Sequence, residues 1–426
     1  MDLTVEGKAF INGCIQQCCI GVRNGKICEI KKTLRGETHI KFTKKIIIPS
    51  GVDLHVHFRD PGFTYKEDFS SGSKAAIYGG ITCIFDMPNT KPQTITGQSL
   101  LKKINDASNK SYVDFGLFAG INDNNIVYIN DLAKYCNGFK IFLGGSTNSF
   151  LFDQRRLSEI LKEISYTDKI VLIHAEDQNC LDKSKIKEKN LKDHMACRPS
   201  LCEESAIKNV LYSMNKLNSK IHICHLSSCD GFELLKQKPK NVSVGVTPHH
   251  ILFDVNKITS KHSFYKVNPP IRTNFDRETL WQGLLDGHID VIESDHAPHT
   301  IEDKDVDFDS APSGMPGVET MYPLLLSMVK NKQMDLNRMI SLICEKPAEL
   351  MNVLKGKIEI GYDADFIVVD FKESTKIQSE KLHSKCNWSA FDGFSAIFPS
   401  DVFLRGNRVI EDNELSLNSG IGKYVL

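Results

Sequence analysis

The sequence predicts an α/β protein: a (β/α)8 barrel of the TIM type, with a small composite β-sandwich domain formed by both chain ends. Three observations predict this fold. Short β-rich runs alternate with helical patterns through the middle of the chain, hairpin-like strands occupy both ends, and 426 residues exceed one ordinary compact domain. We expect residues 1–50 and 346–426 to build the β-sandwich, and residues 51–345 to build the catalytic barrel.

The barrel prediction rests on about eight β-then-α units. Helical patterns such as Leu157–Ile164 and Glu203–Leu217 separate apolar runs rich in β-branched residues. The eight runs are Ile46–Phe58, Ile81–Met87, Val113–Phe118, Phe139–Leu143, Ile170–His174, Ile221–His225, Val242–Thr247 and Val291–Ser294.

The chain ends have a different pattern. Asn24-Gly25 separates two short β-rich runs and is typical of a tight hairpin turn. Near the other end, Ala364–Asp370 is a predicted strand, and a hairpin is expected to turn at Gly406-Asn407. Because chain termini often lie close together, the two ends are expected to share one β unit.

Composition excludes several classes of protein. Lysine plus arginine equals aspartate plus glutamate, at 53 each, which argues against a general nucleic-acid binder. No apolar run is long enough for a membrane helix, and the N-terminus lacks a signal-peptide pattern. The 13 cysteines show no paired spacing, so we expect reduced thiols in a cytoplasmic protein.

Polar residues stand where the predicted barrel strands end. In such barrels the carboxyl ends of all strands meet at one rim, where chemistry occurs. A barrel would therefore gather these side chains from distant positions. They are His55, His57, Asn89, Lys140, His174, His225 and Asp295.

Four of these histidines and one aspartate suit a zinc centre. His55 and His57 are two apart on a strand, so both rings point to the same face. His174, His225 and Asp295 end other strands. Five ligands are too many for one four-coordinate zinc that keeps a water, whereas two zinc ions would use them all.

Lys140 is the candidate bridge between the two ions. An inward lysine at a strand end is costly unless it is paired or modified. Reaction with carbon dioxide would turn its amine into an anionic carbamate. The alternative, an unmodified lysine paired with Asp or Glu, is left open by the spacing alone.

A second group of residues suggests a pocket for a small carboxylate-bearing substrate. Arg59 directly follows the histidine pair, and its planar guanidinium suits a carboxylate. Asn89 and His299 are placed to join it. Asn268 is a candidate for hydrogen bonds to ring amides, and the Gly314–Thr320 loop offers free backbone groups. For each residue alone, a loop-bracing role is an open alternative, and the Gly314–Thr320 loop is open as a plain connector.

Taken together, the motifs resemble those of the dihydroorotases of the amidohydrolase superfamily. The resemblance runs from the first barrel strand into the C-terminal β unit and is specific as a joint match. The matching stretches are Asp53–Gly62, Asp86–Thr90, Phe139–Leu143, Ile173–Asp177, His222–Ser227, Lys266–Arg272, Ser294–His299, Gly314–Thr320 and Gly361–Asp370.

The resemblance implies a role for each candidate residue. His55, His57 and Asp295 would hold one zinc, and His174 and His225 the other. Carbamylated Lys140 and a hydroxide would bridge the two ions. Substrate-binding roles would belong to Arg59, Asn89 and His299 for the carboxylate, and to Asn268 for the ring.

The resemblance also implies a reaction. The enzyme would reversibly hydrolyse (S)-dihydroorotate to N-carbamoyl-L-aspartate in pyrimidine biosynthesis, with Asp295 as the catalytic base and then acid. Hydantoinases, dihydropyrimidinases and allantoinases are the nearest alternatives, because they share the metal ligands. A catalytically silent scaffold is a second alternative. A homodimer, and association with an aspartate transcarbamoylase, are further expectations, with neither nucleic acid nor membrane as a partner.

Overall fold

The computed structural model describes residues 1–147, 150–214 and 217–426. Its first 50 residues hold four strands, and a second set of strands follows residue 365. The strands are β1 Leu3–Ile11, β2 Cys14–Arg23, β3 Lys26–Lys31, β4 Thr38–Pro49, β5 Gly51–Val56, β6 Ile81–Asp86, β7 Asp114–Gly120, β8 Gly138–Phe142, β9 Ile170–His174, β10 Lys220–Ile223, β11 Val242–Val246, β12 Val291–Ile292, β13 Phe366–Val369, β14 Thr375–Lys376, β15 Ser395–Ala396, β16 Asp401–Leu404, β17 Asn407–Glu411 and β18 Glu414–Leu415.

Helices fill most of the segments between the barrel strands and cover the barrel. The α-helices are α1 Phe69–Tyr78, α2 Gly97–Ser108, α3 Ile129–Leu132, α4 Leu157–Ser165, α5 Gln178–Lys183, α6 Leu191–Cys197, α7 Ser200–Ser213, α8 Cys229–Leu235, α9 Pro248–Leu252, α10 Asn274–Leu285, α11 Ile301–Lys304, α12 Val318–Lys330, α13 Leu336–Ile340 and α14 Lys346–Leu350. Short 3-10 segments and a π segment complete them: Ile126–Tyr128, Gln154–Arg156, His262–Tyr265, Ser341–Glu345 and Ser379–Lys381.

The central strands form a closed parallel barrel, as the sequence predicts. Strands β5 to β12 pair in sequential order, each parallel to the next. The first strand then meets the segment that follows β12: the His57 backbone nitrogen donates to His296 O at 2.8 Å. This contact closes the circle, so the carboxyl ends of all eight strands lie on one rim.

Local sequence explains the helices. In α4, buried Leu157, Ile160, Leu161 and Ile164 recur at the three- and four-residue spacing of one helix face. Helix α1 begins with a capping box, in which Asp68 accepts from the Ser71 backbone nitrogen at 2.9 Å. Such caps satisfy the free N–H groups of the first turn.

One predicted helix begins earlier than expected. The pattern Glu203–Leu217 corresponds to α7, which spans Ser200–Ser213. Pro199 immediately precedes α7, and proline's fixed φ suits a helix start, so the helix begins three residues before the predicted position. Residues 215 and 216 of the prediction lie outside the described residues.

The two chain ends build one eight-stranded sheet, which confirms the composite β unit. Its order is β18-β17-β16-β13-β4-β1-β2-β3. Antiparallel pairing of β13 with β4, with Ile367 opposite Ile48, joins the C-terminal strands to the N-terminal ones. The boundaries at residues 50 and 345 stay predictions.

Tight turns connect the hairpins of this sheet. Asn24 and Gly25 have φ values of 52° and 78°, which match the two positive values that a type I′ turn requires. The later hairpin turns at Arg405 and Gly406, with φ values of 45° and 74°. The expected turn at Gly406-Asn407 was therefore one residue too late, because Asn407 already pairs with Leu404.

A buried ionic cluster joins the barrel to the end sheet. The Lys355 ammonium lies 2.6 Å from Asp114 Oδ2, at the start of β7, and 2.7 Å from Asp365 Oδ2, just before β13. Asp363 Oδ2 lies 3.0 Å away. Burial opposes the charge, but the carboxylates outweigh it and hold the pKa of Lys355 well above its ordinary value.

The cysteines differ from expectation in one respect. Cys180, in α5, and Cys202, in α7, form a disulfide with a Cα–Cα distance of 5.3 Å. The expectation of uniformly reduced thiols is wrong for this pair, because the fold brings together two cysteines that are 22 residues apart in sequence. None of the described helices is long and apolar enough to cross a membrane.

Candidate metal centre

Two adjacent groups of histidines lie at the carboxyl rim of the barrel. His55 is the penultimate residue of β5, His57 directly follows that strand, and Asp295 follows β12. Their ligand atoms converge: Asp295 Oδ1 lies 3.4 Å from His55 Nε2 and 3.2 Å from His57 Nε2. Two atoms that share one zinc, each about 2.0–2.2 Å from it, lie about 3.3 Å apart in tetrahedral geometry. This group therefore suits one metal ion.

The second group has the same spacing. His174 ends β9 and His225 follows β10, and His174 Nδ1 lies 3.2 Å from His225 Nε2. The two groups are neighbours, because the ring centroids of His55 and His225 are 5.2 Å apart. All these rings are buried. The strand-end residues of four strands thus meet around one small volume.

The histidines are electrically neutral, as metal ligands must be. Burial lowers the pKa of His55 to about 4, and the Lys140 charge acts in the same direction. Burial also lowers the pKa values of His57, His174 and His225. Each ring therefore presents a nitrogen lone pair at neutral pH.

Asp295, in contrast to the neutral histidines, is held in its charged form. Burial opposes its ionisation, but His55 and His57 outweigh that effect and keep the pKa of the carboxyl below its ordinary range. The residue has a φ of 44°, as a few functional residues in strained backbone do. Its carboxylate is therefore charged and held in one orientation.

Lys140 is fully buried in β8, where it is the third of five residues and not the strand end that the sequence predicts. Its Nζ is 3.1 Å from Cys224 Sγ and 5.1 Å from the centroid of the Phe142 ring. In the part of the chain that the structure describes, no carboxylate lies within ion-pair distance of this ammonium.

Carboxylates behind the ligands fix the ring orientations. Glu176 Oε2 accepts from His174 Nε2 at 2.8 Å, and Arg198 Nε donates to Glu176 Oε1 at 3.1 Å. The proton on Nε2 leaves Nδ1 as the ligand atom, which is the atom that faces His225. Burial opposes the charge of Glu176, but Arg198 and His174 keep the pKa of the carboxyl below its ordinary range.

Glu293 supports the other ligands from inside the barrel. Its Oε1 accepts from the His225 backbone nitrogen at 2.6 Å and lies 3.6 Å from His55 Nδ1. Its Oε2 is 3.2 Å from Nε2 of His222, a fully buried histidine whose Nδ1 contacts Ser243 Oγ at 2.8 Å. His222 therefore lies behind the site.

Sequence analysis did not identify Glu176, Arg198 or Glu293. Glu176 stands two residues after His174 and Glu293 two before Asp295, so the same strand periodicity that paired His55 with His57 could have found both. No local signal identifies Arg198, which reaches the site from the loop between α6 and α7.

Next to the histidines lies an anion pocket around Arg59. Arg59 Nη2 is 3.2 Å from His299 Nε2, and its Nε donates to Pro298 O at 3.2 Å. The guanidinium is buried, yet no carboxylate lies within ion-pair distance among the described residues. A buried cation of this kind requires an anionic ligand.

Asn89 takes a position between the two parts of the site. Its Oδ1 accepts from His57 Nδ1 at 2.7 Å, and its amide nitrogen donates to Thr147 O at 3.0 Å. The structure therefore places Asn89 as a support for His57, a predicted metal ligand. An amide nitrogen carries two donors, and the bond to Thr147 uses one of them.

Asn268 lies across the rim, with its side-chain oxygen 3.2 Å from Ser313 Oγ. The Ser313 carbonyl in turn lies 3.1 Å from His299 Nε2. The Gly314–Thr320 segment begins just after Ser313, and only its first part is a loop, because α12 begins at Val318. The structure thus gathers Asn268, His299 and the start of this loop on one side of the pocket.

Comparison with known proteins agrees with this arrangement. The model of the amidohydrolase family matches residues 46–406. A dihydroorotase from Thermoplasma acidophilum is 39% identical and covers 100% of this chain and 98% of its own length. One from Methanosarcina acetivorans is 34% identical over 98% of this chain and 94% of its own length.

Solved structures show the same fold. An L-hydantoinase (dihydropyrimidinase) from Arthrobacter aurescens superposes with a TM-score of 0.94 at 28% identity, covering 99% of both chains. A dihydropyrimidinase from Brevibacillus agri gives a TM-score of 0.91 at 24% identity, covering 100% of this chain and 98% of its own. The chain belongs to the amidohydrolase family, and dihydroorotases are its relatives along nearly its whole length.

Proposed function

We propose that this enzyme is a dihydroorotase, which reversibly hydrolyses the ring amide of (S)-dihydroorotate to N-carbamoyl-L-aspartate in pyrimidine biosynthesis. One observation carries the proposal: two converging histidine groups adjoin a buried arginine that has no carboxylate partner among the described residues. The substrate ring bears a carboxylate, which would supply the missing negative charge.

The donor set supports a pair of zinc ions. His55, His57 and Asp295 would hold one ion, and His174 and His225 the other. The atoms that would bind the ions converge: Asp295 Oδ1 lies 3.4 Å from His55 Nε2 and 3.2 Å from His57 Nε2, and His174 Nδ1 lies 3.2 Å from His225 Nε2. When bound, two zinc ions would supply an activated water and polarise the amide carbonyl.

Lys140 is the proposed bridge in its carbamylated form. The alternative of an unmodified lysine paired with Asp or Glu finds no support, because no such partner is within reach in the described structure. A buried ammonium beside a thiol and an aromatic ring is poorly compensated. Carbamylation would replace the uncompensated cation with an anion that both metals require.

Asp295 is the proposed proton carrier. Because its carboxylate is ionised, it can accept the proton that the attacking water loses. It would then return that proton to the ring nitrogen as the amide bond breaks. In the reverse direction the same carboxylate would take a proton from the ureido nitrogen as that nitrogen attacks the carboxylate carbon, and would return the proton to the oxygen that leaves as water.

Arg59, Asn89 and His299 are the proposed carboxylate ligands, and Asn268 and the Gly314–Thr320 loop the contacts for the ring. Arg59 supplies the charge, and the second amide donor of Asn89 would point to the same anion. A neutral ring such as dihydrouracil has no carboxylate that could pair with a buried arginine. The buried Arg59 therefore favours dihydroorotase over hydantoinase or allantoinase activity.

A substrate panel tests the proposal. Purified enzyme would be assayed on dihydroorotate, dihydrouracil, hydantoin and allantoin under identical conditions. We expect the highest kcat/KM with dihydroorotate. A higher value with any neutral ring would contradict the proposal, and absence of turnover together with absence of bound metal would favour the scaffold alternative.

Cellular setting and assembly are part of the same proposal. We propose a cytoplasmic homodimer that can associate with an aspartate transcarbamoylase, the enzyme class that makes carbamoyl aspartate. Sedimentation of the purified protein, alone and with that enzyme, tests both points. A monomer that does not co-sediment would contradict them.

A further inference from the structure

Lys66 is a buried lysine inside the anion pocket whose role the proposed reaction leaves unassigned. It lies on the loop between Arg59 and α1, and its side chain is 9% exposed. The ammonium is 2.9 Å from His299 Nδ1 and 3.0 Å from Asp303 Oδ2. Lysine is rarely buried to this degree, and pairing with an imidazole nitrogen is a specific arrangement.

The contact determines which ring nitrogen of His299 carries the proton. An ammonium only donates, so Nδ1 must accept from Lys66. Burial and the charges of Arg59, Lys66 and Lys304 hold the pKa of His299 well below its ordinary value, so the ring is neutral. Its single proton therefore lies on Nε2, where the Ser313 carbonyl is 3.1 Å away.

With this tautomer, the contact between Arg59 and His299 is not a hydrogen bond. Arg59 Nη2 and His299 Nε2 are 3.2 Å apart, and both are N–H donors. Two donors this close do not bond to each other. Both can donate to one anionic oxygen placed beside them, which would compete with the Ser313 carbonyl for the His299 proton, because an anionic acceptor forms the stronger hydrogen bond.

We propose that Lys66 is a positioning residue for substrate binding: it fixes His299 as an Nε2–H donor and adds positive charge beside Arg59. The enzyme thereby favours rings that bear a carboxylate. This inference rests on the proposed function, because it requires the substrate carboxylate to lie at Arg59.

Two variants of the zinc-loaded enzyme separate this role from general packing. Lys66→Met keeps the aliphatic stem and removes the charged donor, and Lys66→Arg restores a charged donor. We expect Lys66→Met to raise KM for dihydroorotate about 10- to 100-fold with a smaller change in kcat, since a charge-assisted contact contributes about 1.5–3 kcal/mol. Lys66→Arg should recover most of the loss.

Lys238→Met is the matched control. Lys238 also pairs with an aspartate, at 3.2 Å from Asp290, and is 14% exposed, but it lies at the opposite end of the barrel. Its substitution should leave KM unchanged. Equal increases in KM for Lys66→Met and Lys238→Met would show a general effect of losing a buried ion pair and would overturn the proposal.

Nitrogen-15 NMR of histidine-labelled enzyme provides a readout that does not depend on turnover. The ring shifts identify the protonated nitrogen, and His299→Gln identifies the signal. We expect an Nε2–H ring in the unmodified enzyme and a changed tautomer or protonation state in Lys66→Met. An unchanged tautomer or an unchanged KM in Lys66→Met would overturn the inference. Failure to turn over dihydroorotate at all would instead contradict the proposed function.

Discussion

The Asp295 carboxylate faces His55 and His57 and is also the proposed proton carrier. We expect Asp295→Asn to lower kcat about 10²- to 10⁴-fold, the usual contribution of a general acid–base group. Steady-state kinetics with a metal count on the same sample measure this. Near-normal kcat with full metal content would contradict the assignment.

Replacing Arg59 should affect substrate binding more than the chemical step, because among the described contacts its side chain touches neither Asp295 nor a predicted metal-binding histidine. Replacing it with methionine should raise KM for dihydroorotate about 10- to 100-fold and alter kcat less, since a charged hydrogen bond is lost on substrate binding. Initial-rate kinetics would separate the two constants. A fall in kcat alone, with KM preserved, would argue against the anion pocket.

Single residues also show where sequence reasoning ends. Strand periodicity brought out His55, His57, His174, His225 and Asp295, because each ends an apolar run. Strand periodicity does not identify residues that reach the site from distant loops. Arg198 and Lys66 reach the site only through tertiary folding, and no local pattern marks them.

At the scale of elements, polar side chains in the short motifs after the strands form hydrogen bonds to neighbouring loops at the rim of the barrel. Asn89 is an example: the sequence suggested a substrate ligand, and the structure shows bonds to His57 and to the Thr147 carbonyl. A side chain with several donors and acceptors serves more than one partner, and sequence alone does not rank those partners.

The Lys355 cluster is an ionic link between barrel and end sheet. Lys355→Met would leave Asp365 buried without its counter-ion, whereas Asp114 would keep Arg405, so we expect a loss of about 3–5 kcal/mol in the free energy of unfolding. Denaturant unfolding measures it. Lys26→Met is the control: Lys26 is exposed and its partner Asp363 would keep Lys355, so the loss should be only about 0–1 kcal/mol.

A loss in Lys355→Met no larger than that in Lys26→Met would mean that the Lys355 ion pairs do not stabilise the contact between barrel and sheet. The sequence contains a hint of this cluster in its Gly361–Asp370 motif, where two aspartates precede a buried strand. Their partner Lys355 was not predicted, because it follows a helix and has no periodic signal.

For the whole molecule, the order of elements was predictable and their exact ends were not. Alternation of apolar runs with helical patterns gave all eight barrel strands. The last predicted strand was Val291–Ser294, whereas β12 in the structure spans only Val291–Ile292. Backbone beyond Ile292 turns into the site, and Asp295 adopts a positive φ that no pairing pattern predicts.

The buried histidines make the metal-free protein sensitive to acid. Burial lowers the pKa values of His55 and His250 to about 4, whereas an unfolded histidine titrates near 6.5. Between these values the unfolded chain binds more protons than the folded one, so stability must fall as the pH is lowered from about 6.5 to 4. Below pH 4 this contribution levels off.

Urea unfolding of chelator-treated protein across that pH range tests whether stability decreases as the pH is lowered. We expect the midpoint to decrease steadily towards pH 4, and bound zinc to shift the whole curve upward because metal binds only the folded site. Stability that is constant, or that rises on acidification, would mean that these rings are not held neutral in the folded state.

Anomalous diffraction from crystals grown with zinc would locate the metal ions. The proposed two-zinc centre predicts two peaks about 3.5–4 Å apart, one beside His55, His57 and Asp295 and one beside His174 and His225, with extra density on Lys140 Nζ between them. A single fully occupied peak, or two peaks with an unmodified Lys140 side chain turned away from both, would contradict it.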